Sequence, residues 1–458
     1  MASRYNSGAV SPAPLAQPLK LHRSGRTIKN RLIKGAMAEG LATWSAKDPP
    51  ARGIPTEQNV ELMRRWAEGE NSWGMIITGN IDIEFGTVTQ MKDMIITPEC
   101  PPEGHRFDMF KRVAAAAKAS GSMAIGQVTH SGRQVLASIN PEPVSASDVQ
   151  LPAVHGMVYG KPRPATKDDI ARVIEGFAHA AKYLEKAGFD GIELHGAHGY
   201  LISQFLSRKT NLRTDEYGLQ STENRLRFVT QVCDAIISQV SSDFIVGIKL
   251  NSVEFQNGGI TAEDAREVCI ALEEVGIDYV QLSGGNYEDF GLRWDKQSTY
   301  LREAYFLEFV QVIMEGFGSA NRKIKVFLSG GLRSVGNMVG ALDLVDAIVL
   351  GRPAAQEPRL ADDILSGRVL GTIRPVTPVE HETTLGMMIA RTHIVQISMG
   401  EDPLDTGDGK AVEQFGKDMG VWMQQKMADG DKLEVADVVQ YTGETTPYGT
   451  RRQLDVTG

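Results

Sequence analysis

Residues 167–194 read KDDIARVIEGFAHAAKYLEKAGFDGIEL and show the pattern that indicates the fold. Apolar side chains recur in it at spacings of three and four: Ile170, Val173, Ile174, Phe177, Ala181, Tyr183 and Leu184. This period predicts an amphipathic helix over Lys167–Ala187, and Ala187-Gly188 supplies its end. The apolar run Gly188–Leu194 follows at once and predicts a buried strand. A helix that leads directly into a buried strand is typical of βαβ units with parallel strands.

The same alternation extends along most of the chain. Eight apolar runs predict strands: Arg31–Met37, Gly74–Ile83, Met123–Thr129, Gly188–Leu194, Phe244–Leu250, Tyr279–Ser283, Lys325–Ser329 and Ala347–Leu350. Amphipathic stretches between them predict helices: Glu57–Glu68, Arg106–Ala119, Lys167–Ala187, Glu223–Val240, Thr261–Gly276, Ala304–Gly316 and Val335–Leu344. Eight alternating units predict an α/β fold, a closed (β/α)8 TIM barrel. A doubly wound open sheet is the alternative, but no strand is followed by the G-x-G-x-x-G turn of a dinucleotide-binding domain.

Three regions are expected along the chain. Residues 1–29 form an amino-terminal arm, residues 30–367 the barrel, and residues 368–458 a carboxy-terminal helical extension. The extension contains one predicted amphipathic helix, Lys410–Met427, whose apolar residues are Val412, Phe415, Met419, Trp422 and Met423. Such a stripe packs against its own barrel or against a subunit partner, so a homo-oligomer is compatible with it.

Composition narrows the class of protein. The 458 residues carry a formal net charge of −9 and no long basic block, which argues against a nucleic-acid partner. No apolar run is long enough to span a bilayer, and the amino terminus lacks the apolar core of a signal peptide, so we expect a cytoplasmic protein with no membrane partner. The cysteines Cys100, Cys233 and Cys269 are far apart, so we expect neither a disulfide framework nor a metal site.

The candidate active-site motif is His195-Gly196-Ala197-His198-Gly199-Tyr200. It begins where the predicted strand Gly188–Leu194 ends. Barrel enzymes keep their chemistry at the carboxyl ends of the strands. Two imidazoles and a phenol at this place therefore predict a set of hydrogen-bond donors in an active site.

Taken in order, the strand motifs of residues 19–374 resemble the old yellow enzyme family of FMN-dependent ene-reductases. The motifs are Asn30–Met37, Asn59–Glu68, Ile76–Asn80, Gly126–Gln134 and His195–Ser207. The resemblance implies bound FMN, NAD(P)H as hydride donor, and an α,β-unsaturated carbonyl compound as the small-molecule activated alkene. It also implies that His195 and His198 bind the carbonyl oxygen and that Tyr200 donates the proton.

The resemblance further implies a flavin site across the barrel mouth. Ala36, Met37, Ala38 and Gly79 would border the flavin ring, and Gln127 would bond its pyrimidine edge. Lys249 would offset the negative charge that reduction deposits there, although most of the family has arginine at this position. The phosphate would lie between Gly330, Gly331 and Arg333 after the seventh strand and Gly351 and Arg352 after the eighth.

The sequence departs from the family pattern at Ala38, where many relatives have Thr or Cys, and at Arg208, where most have proline. Two other functions stay open at this point. One is an FMN-dependent isomerase or dehydrogenase of a biosynthetic pathway. The other is a flavin-free barrel, an aldolase or isomerase that binds a substrate phosphate, in which Lys34 or Lys249 would form a Schiff base.

Overall fold

In a computed structural model, eight parallel strands close into a barrel. The structure describes residues 3–6, 8–153, 157–254, 259–284, 309–315, 317 and 322–450. The barrel strands are β3 (Leu32–Lys34), β4 (Met75–Asp82), β6 (Met123–Thr129), β9 (Gly191–Gly196), β10 (Ile245–Val253), β11 (Tyr279–Gly284), β12 (Lys325–Ser329) and β13 (Ala347–Leu350). Each pairs with the next, and β13 pairs with β3 to complete the ring. The predicted (β/α)8 barrel is confirmed, and the open sheet is excluded.

Short strands and helices complete the described barrel region. The short strands are β1 (Leu19–Lys20), β2 (Thr27–Ile28), β5 (Met94–Ile95), β7 (Val144–Ser145) and β8 (Arg163–Pro164). The helices are α1 (Glu57–Trp66), α2 (Gly104–Ala117), α3 (Lys167–Lys186), α4 (Leu201–Leu206), α5 (Thr222–Ile237), α6 (Ala262–Val275), α7 (Val335–Ala341), α8 (Arg352–Gln356) and α9 (Leu360–Leu365). Of the predicted helix Ala304–Gly316, the structure describes only residues 309–315, which are helical. The rest of that prediction lies outside the described residues.

Helix α3 forms where the apolar period predicts it. Thr166 caps its first turn, since its hydroxyl accepts a hydrogen bond from the Asp169 backbone N–H (3.1 Å). Ile170, Val173 and Phe177 are buried along one face. Gly188 then turns the chain with a φ of +90°, which favours glycine, and β9 begins at Gly191.

The barrel interior is apolar at one end and polar at the other. Its apolar residues form one cluster: Ile33, Met75, Ile77, Ile125, Ile245, Tyr279, Phe327, Ala347 and Val349. The β1–β2 hairpin adds Leu19, Leu21 and Ile28 to this cluster, and so closes the amino-terminal end of the barrel. Polar residues occupy the strands beyond it: Gln127, Glu193, His195, Lys249 and Gln281 are all buried. The carboxyl ends of the strands therefore hold the only buried polar layer that could form a site on these described strands.

Two long helices of the carboxy-terminal region follow the barrel. After the short α10 (Thr377–His381) come α11 (Thr383–Ser398) and α12 (Gly409–Asp429). Helix α12 matches the predicted Lys410–Met427, but its stripe is only partly buried: Phe415 is fully buried, whereas Met423 is 46% exposed. The prediction missed α11, which packs against α1 and α8 of the barrel. No helix in the described part of the chain is long and apolar enough to cross a membrane.

Candidate active site

The predicted motif forms the turn between β9 and α4. His195 lies in β9 and pairs in register with Lys249 of β10. His198 and Gly199 then adopt φ values of +56° and +75°, which turn the chain sharply before α4 begins at Leu201. The turn brings the three rings together. The His195 ring centroid lies 5.2 Å from that of His198 and 4.1 Å from that of Tyr200.

Both histidines are held in the neutral form. Burial lowers the pKa of His195 well below its usual value, and the neighbouring His198 and Lys249 lower it further. Burial and Lys249 lower the pKa of His198 to about 3. His198 Nε2 lies 3.0 Å from the Ser283 hydroxyl. A neutral imidazole has one N–H donor and one acceptor nitrogen, so each ring can donate a single hydrogen bond to a ligand.

Gln127 and Lys249 belong to a buried polar group around Glu193. The Gln127 side-chain amide donates to one carboxylate oxygen of Glu193 (2.7 Å), and the Tyr279 hydroxyl donates to the other (3.4 Å). Burial raises the pKa of Glu193 and lowers that of Lys249. The charge of Lys249 lowers the pKa of Glu193, and the charge of Glu193 raises that of Lys249, so each partly offsets the effect of burial on the other. The geometry thus places a buried amine beside His195.

Gln281 is a buried residue that the sequence analysis did not identify. It is fully buried in β11 and pairs in register with Lys249. Neither its side-chain oxygen nor its side-chain nitrogen has a hydrogen-bond partner in the described part of the chain. A buried amide without partners is costly. Such a group is expected where a polar ligand supplies the missing bonds, which fits a flavin with its pyrimidine edge toward the barrel centre.

The residues after β3 line a partly open rim. Ala36, Met37 and Ala38 are each partly exposed. Gly79 of β4 lies against them so closely that a Cβ atom on it would be 2.5 Å from the Met37 carbonyl oxygen. The Gly79 backbone N–H donates to the Glu39 carboxylate (2.8 Å). Gly351 approaches from β13, since its Cβ would lie 3.8 Å from the Met37 sulfur.

The predicted phosphate cradle lies at the ends of two adjacent strands. Gly330 and Gly331 follow β12 with φ values of +127° and +75°, which favour glycine and expose backbone N–H groups. Gly351 precedes α8, which begins with Arg352. Both glycine turns are partly exposed, as are Arg333 and Arg352. Strands β12 and β13 pair directly, so the two halves of the cradle are neighbours, and these residues fit a phosphate-bearing cofactor.

Arg352 also contacts the carboxy-terminal region. A Cβ atom on Gly386 of α11 would lie 2.7 Å from a guanidinium nitrogen of Arg352. A larger residue at this point of the helix would therefore require the arginine side chain to shift. The packing of α11 thus bears on the position of Arg352, a contact that no sequence pattern indicates.

Two further residues make contacts that order the loops around the site. His130 is buried, and its Nδ1 accepts the backbone N–H of Gly132 (3.0 Å), so it orders the loop after β6. Arg208, which departs from the family pattern, forms an ion pair with Asp264 at the start of α6. Within the described residues, no group of three or more His, Cys, Asp or Glu side chains could hold a metal ion.

Comparison with known proteins places this chain in a family. A model of the family described as NADH:flavin oxidoreductase / NADH oxidase matches residues 14–326, which ends before the cradle at Gly330. The chain is 42% identical over 426 residues to the NADH-dependent flavin oxidoreductase nadA of Aspergillus parasiticus, covering 92% of this chain and 94% of that one. It is 32% identical over 367 residues to the NADH-dependent flavin oxidoreductase iliE of Hypocrea jecorina, covering 75% and 87%.

A solved structure supports the fold independently. The old yellow enzyme homologue of Zymomonas mobilis superimposes with a TM-score of 0.63 at 24% identity, covering 78% of this chain and 94% of that one. At this identity the likeness concerns the fold alone. Together with the family match and the relatives that span most of the chain, it leads to one conclusion. The chain belongs to the NADH:flavin oxidoreductase / NADH oxidase family, the old yellow enzyme family that its strand motifs resemble.

Proposed function

We propose that the protein is an FMN-dependent NAD(P)H ene-reductase that reduces the activated C=C bond of α,β-unsaturated carbonyl compounds. The observation that carries the proposal is the cluster of His195, His198 and Tyr200 beside Lys249 at the carboxyl ends of the strands. The two named relatives are NADH-dependent, which favours NADH as the donor for this chain.

The cofactor would be held by the residues that the strand ends bring together. Lys249 and the amides of Gln127 and Gln281 would meet its pyrimidine edge, and Gly79, Ala36, Met37 and Ala38 would border its ring. The glycine turns at Gly330, Gly331 and Gly351, with Arg333 and Arg352, would hold its phosphate. Bound FMN supplies the hydride chemistry, since it can accept a hydride from NAD(P)H and give it to an alkene.

His195 and His198 would bind the carbonyl oxygen of the alkene. Both are neutral donors, so a hydrogen bond from each becomes stronger as negative charge grows on that oxygen. Bonds that strengthen toward the transition state accelerate the reaction rather than only binding the substrate. His195 is buried and His198 is partly exposed, so bulk water weakens the hydrogen bond from His195 least.

Tyr200 would complete the reduction. Its O–H bond breaks and a C–H bond forms at the α-carbon of the substrate, which leaves the negative charge on the phenol oxygen until a proton returns from water. Tyr200 is 4% exposed and its ring lies 4.1 Å from that of His195. The donor and the oxygen-binding groups are therefore close enough to act on one small substrate.

A single pocket would serve both substrates in turn, which gives ping-pong kinetics. The described strands contain no second nucleotide-binding domain, so NAD(P)H and the alkene would share the pocket over the flavin. An FMN-dependent isomerase or dehydrogenase remains the second candidate, because the same residues could bind its substrate. The two differ in whether an enone reoxidises the reduced protein.

Of the two lysines of the flavin-free alternative, Lys249 lies in the site, beside His195, whereas the geometry does not favour Lys34. Lys34 points away from the site: its amine donates to the Ile77 carbonyl (2.8 Å) and lies 3.6 Å from the centroid of the Trp66 ring. Although burial lowers the pKa of Lys34 to about 7, the amine is covered by α1. A Schiff base at Lys34 would require that packing to open.

The variant Tyr200→Phe tests the proposed proton donor. It should slow the reoxidation of reduced protein by a cyclic enone by at least about a hundred-fold, as general acid catalysis contributes that much. Bleaching of the flavin by NADH should stay nearly unchanged. Stopped-flow absorbance under anaerobic conditions measures both steps, and a full rate of reoxidation would exclude Tyr200 as the donor.

A further inference from the structure

Strand β4 contains one extra residue just before the site. Ile77 pairs with Ile125 of β6, but the next residues in register are Asn80 and Gln127. Three steps along β4 thus match two along β6, which is a β-bulge. The Gln127 backbone N–H donates to the Thr78 hydroxyl at this point (3.1 Å). Side chains alternate between the two faces of a strand, so without the bulge Gly79 would face the barrel interior. The extra residue exchanges the two faces, and Asn80 faces inward instead.

Asn80 contacts the proposed proton donor directly. Its side-chain nitrogen lies 3.1 Å from the Tyr200 hydroxyl and 3.4 Å from one carboxyl oxygen of Asp93. An amide nitrogen carries two hydrogens and accepts none, so it donates to both oxygens. Asn80 is 6% exposed and Asp93 3% exposed, so both bonds lie out of water. The bond to Asp93 fixes which end of the amide faces Tyr200.

We propose that Asn80 is a positioning residue for Tyr200, whose amide N–H holds the phenol oxygen in place and stabilises the charge that proton transfer leaves there. This inference rests on the proposed role of Tyr200 as proton donor. A hydrogen bond from a neutral donor is stronger to an anionic oxygen than to a neutral one. The Asn80 bond therefore favours the products of proton transfer over the reactants, in the same manner as an oxyanion hole.

The surroundings of Asn80 are consistent with this role. A charged carboxylate next to Asn80 would oppose the developing charge on Tyr200. Burial, together with nearby Asp437 and Glu39, raises the pKa of Asp93 to about 8 against the lowering effects of Asn80 and Arg391. This shift favours the neutral carboxyl group, which adds little negative charge beside the phenol.

The test is Asn80→Leu, which keeps the approximate volume and removes the donor. With FMN-loaded protein reduced beforehand under anaerobic conditions, reoxidation by a cyclic enone should slow by about 10- to 100-fold, the effect of one hydrogen bond to a charged group. Bleaching by NADH should stay within about two-fold, since Tyr200 takes no part in it. Asn30→Leu is the matched control, because Asn30 is a buried asparagine that bonds the Ser72 carbonyl and the Leu32 N–H at the opposite end of the barrel.

A double-mutant cycle separates positioning from general damage. In the Tyr200→Phe background, Asn80→Leu should slow reoxidation by no more than about two-fold, because its target oxygen is gone. The ultraviolet titration of Tyr200 in the flavin-free protein is obtained as the difference from Tyr200→Phe. Asn80→Leu should move this titration to higher pH. If Asn80→Leu fails to fold, Asn80→Asp is used instead, since it keeps the shape but replaces the donor with an acceptor.

Failure of the Asn80 role and failure of the Tyr200 role give different results. If the two losses of reoxidation rate multiply in the double variant, or if the Tyr200 titration is unchanged, Asn80 has no positioning role and Tyr200 is still the proton donor. A full reoxidation rate in Tyr200→Phe itself would remove the proton donor, and the inference about Asn80 with it.

Discussion

Gln281→Leu should stabilise the flavin-free protein and weaken its hold on FMN. The Gln281 amide is fully buried, and both of its polar atoms lack partners in the described residues. Leaving a polar group buried and unpaired costs about 1–3 kcal/mol, and leucine of nearly the same volume removes that cost. Water that enters the open pocket would offset part of it, so we expect a gain of about 1 kcal/mol in the free energy of unfolding.

The same substitution should lower FMN affinity by roughly 5- to 10-fold, the effect of one neutral hydrogen bond. Chemical denaturation of the flavin-free protein gives the first quantity, and quenching of FMN fluorescence on binding gives the second. Gln127→Leu is the matched control with the opposite sign for stability. It removes the 2.7 Å bond to buried Glu193 and should destabilise the flavin-free protein by about 1–3 kcal/mol. If Gln281→Leu lowered stability as Gln127→Leu does, the Gln281 amide would not be unpaired in the flavin-free protein.

Two further predictions concern the site. Because the pKa of His198 is depressed from 6.5 to about 3 in the folded chain, the unfolded chain takes up the proton first, so stability should fall as pH drops from 6.5 toward 3. His198→Gln should reduce this loss of stability, measured as the difference between the denaturation midpoints at pH 7 and pH 5. An unchanged difference would show that His198 is not held neutral. Ala38→Thr adds a hydroxyl donor at the rim and should raise the reduction potential of bound FMN. Equal potentials for the two proteins in an anaerobic dye titration would show that Ala38 does not face the flavin.

The barrel could be predicted because its strands and helices carry their own periodicity. The runs Met123–Thr129, Lys325–Ser329 and Ala347–Leu350 are observed with the predicted bounds. Helix α11 was missed because buried residues such as Ile389, Ile394 and Ile397 occur together with buried polar ones, so no single apolar face stands out. A helix buried on several sides lacks the amphipathic pattern that identifies surface helices.

The candidate site was predictable in part from residue chemistry, for the two histidines and the tyrosine, and in part from the family resemblance, for Lys249 and the glycine turns. The sequence identified His195, His198, Tyr200, Lys249 and the glycine turns, and the structure brings them to one end of the barrel. It did not identify Asn80, because a bulge that exchanges the faces of a strand leaves no mark in the alternation of apolar residues. Nor did it identify Gln281, since the absence of partners is a property of the packed interior and not of the sequence.

The visible spectrum of the purified protein through one anaerobic cycle tests the proposed ene-reductase activity directly. We expect a yellow protein whose flavin absorbance is bleached by NADH and restored by a cyclic enone, with the saturated ketone as the product. A protein that binds FMN and is bleached by NADH but is not reoxidised by any cyclic enone would contradict the proposed ene-reductase. It would favour the FMN-dependent isomerase or dehydrogenase in its place.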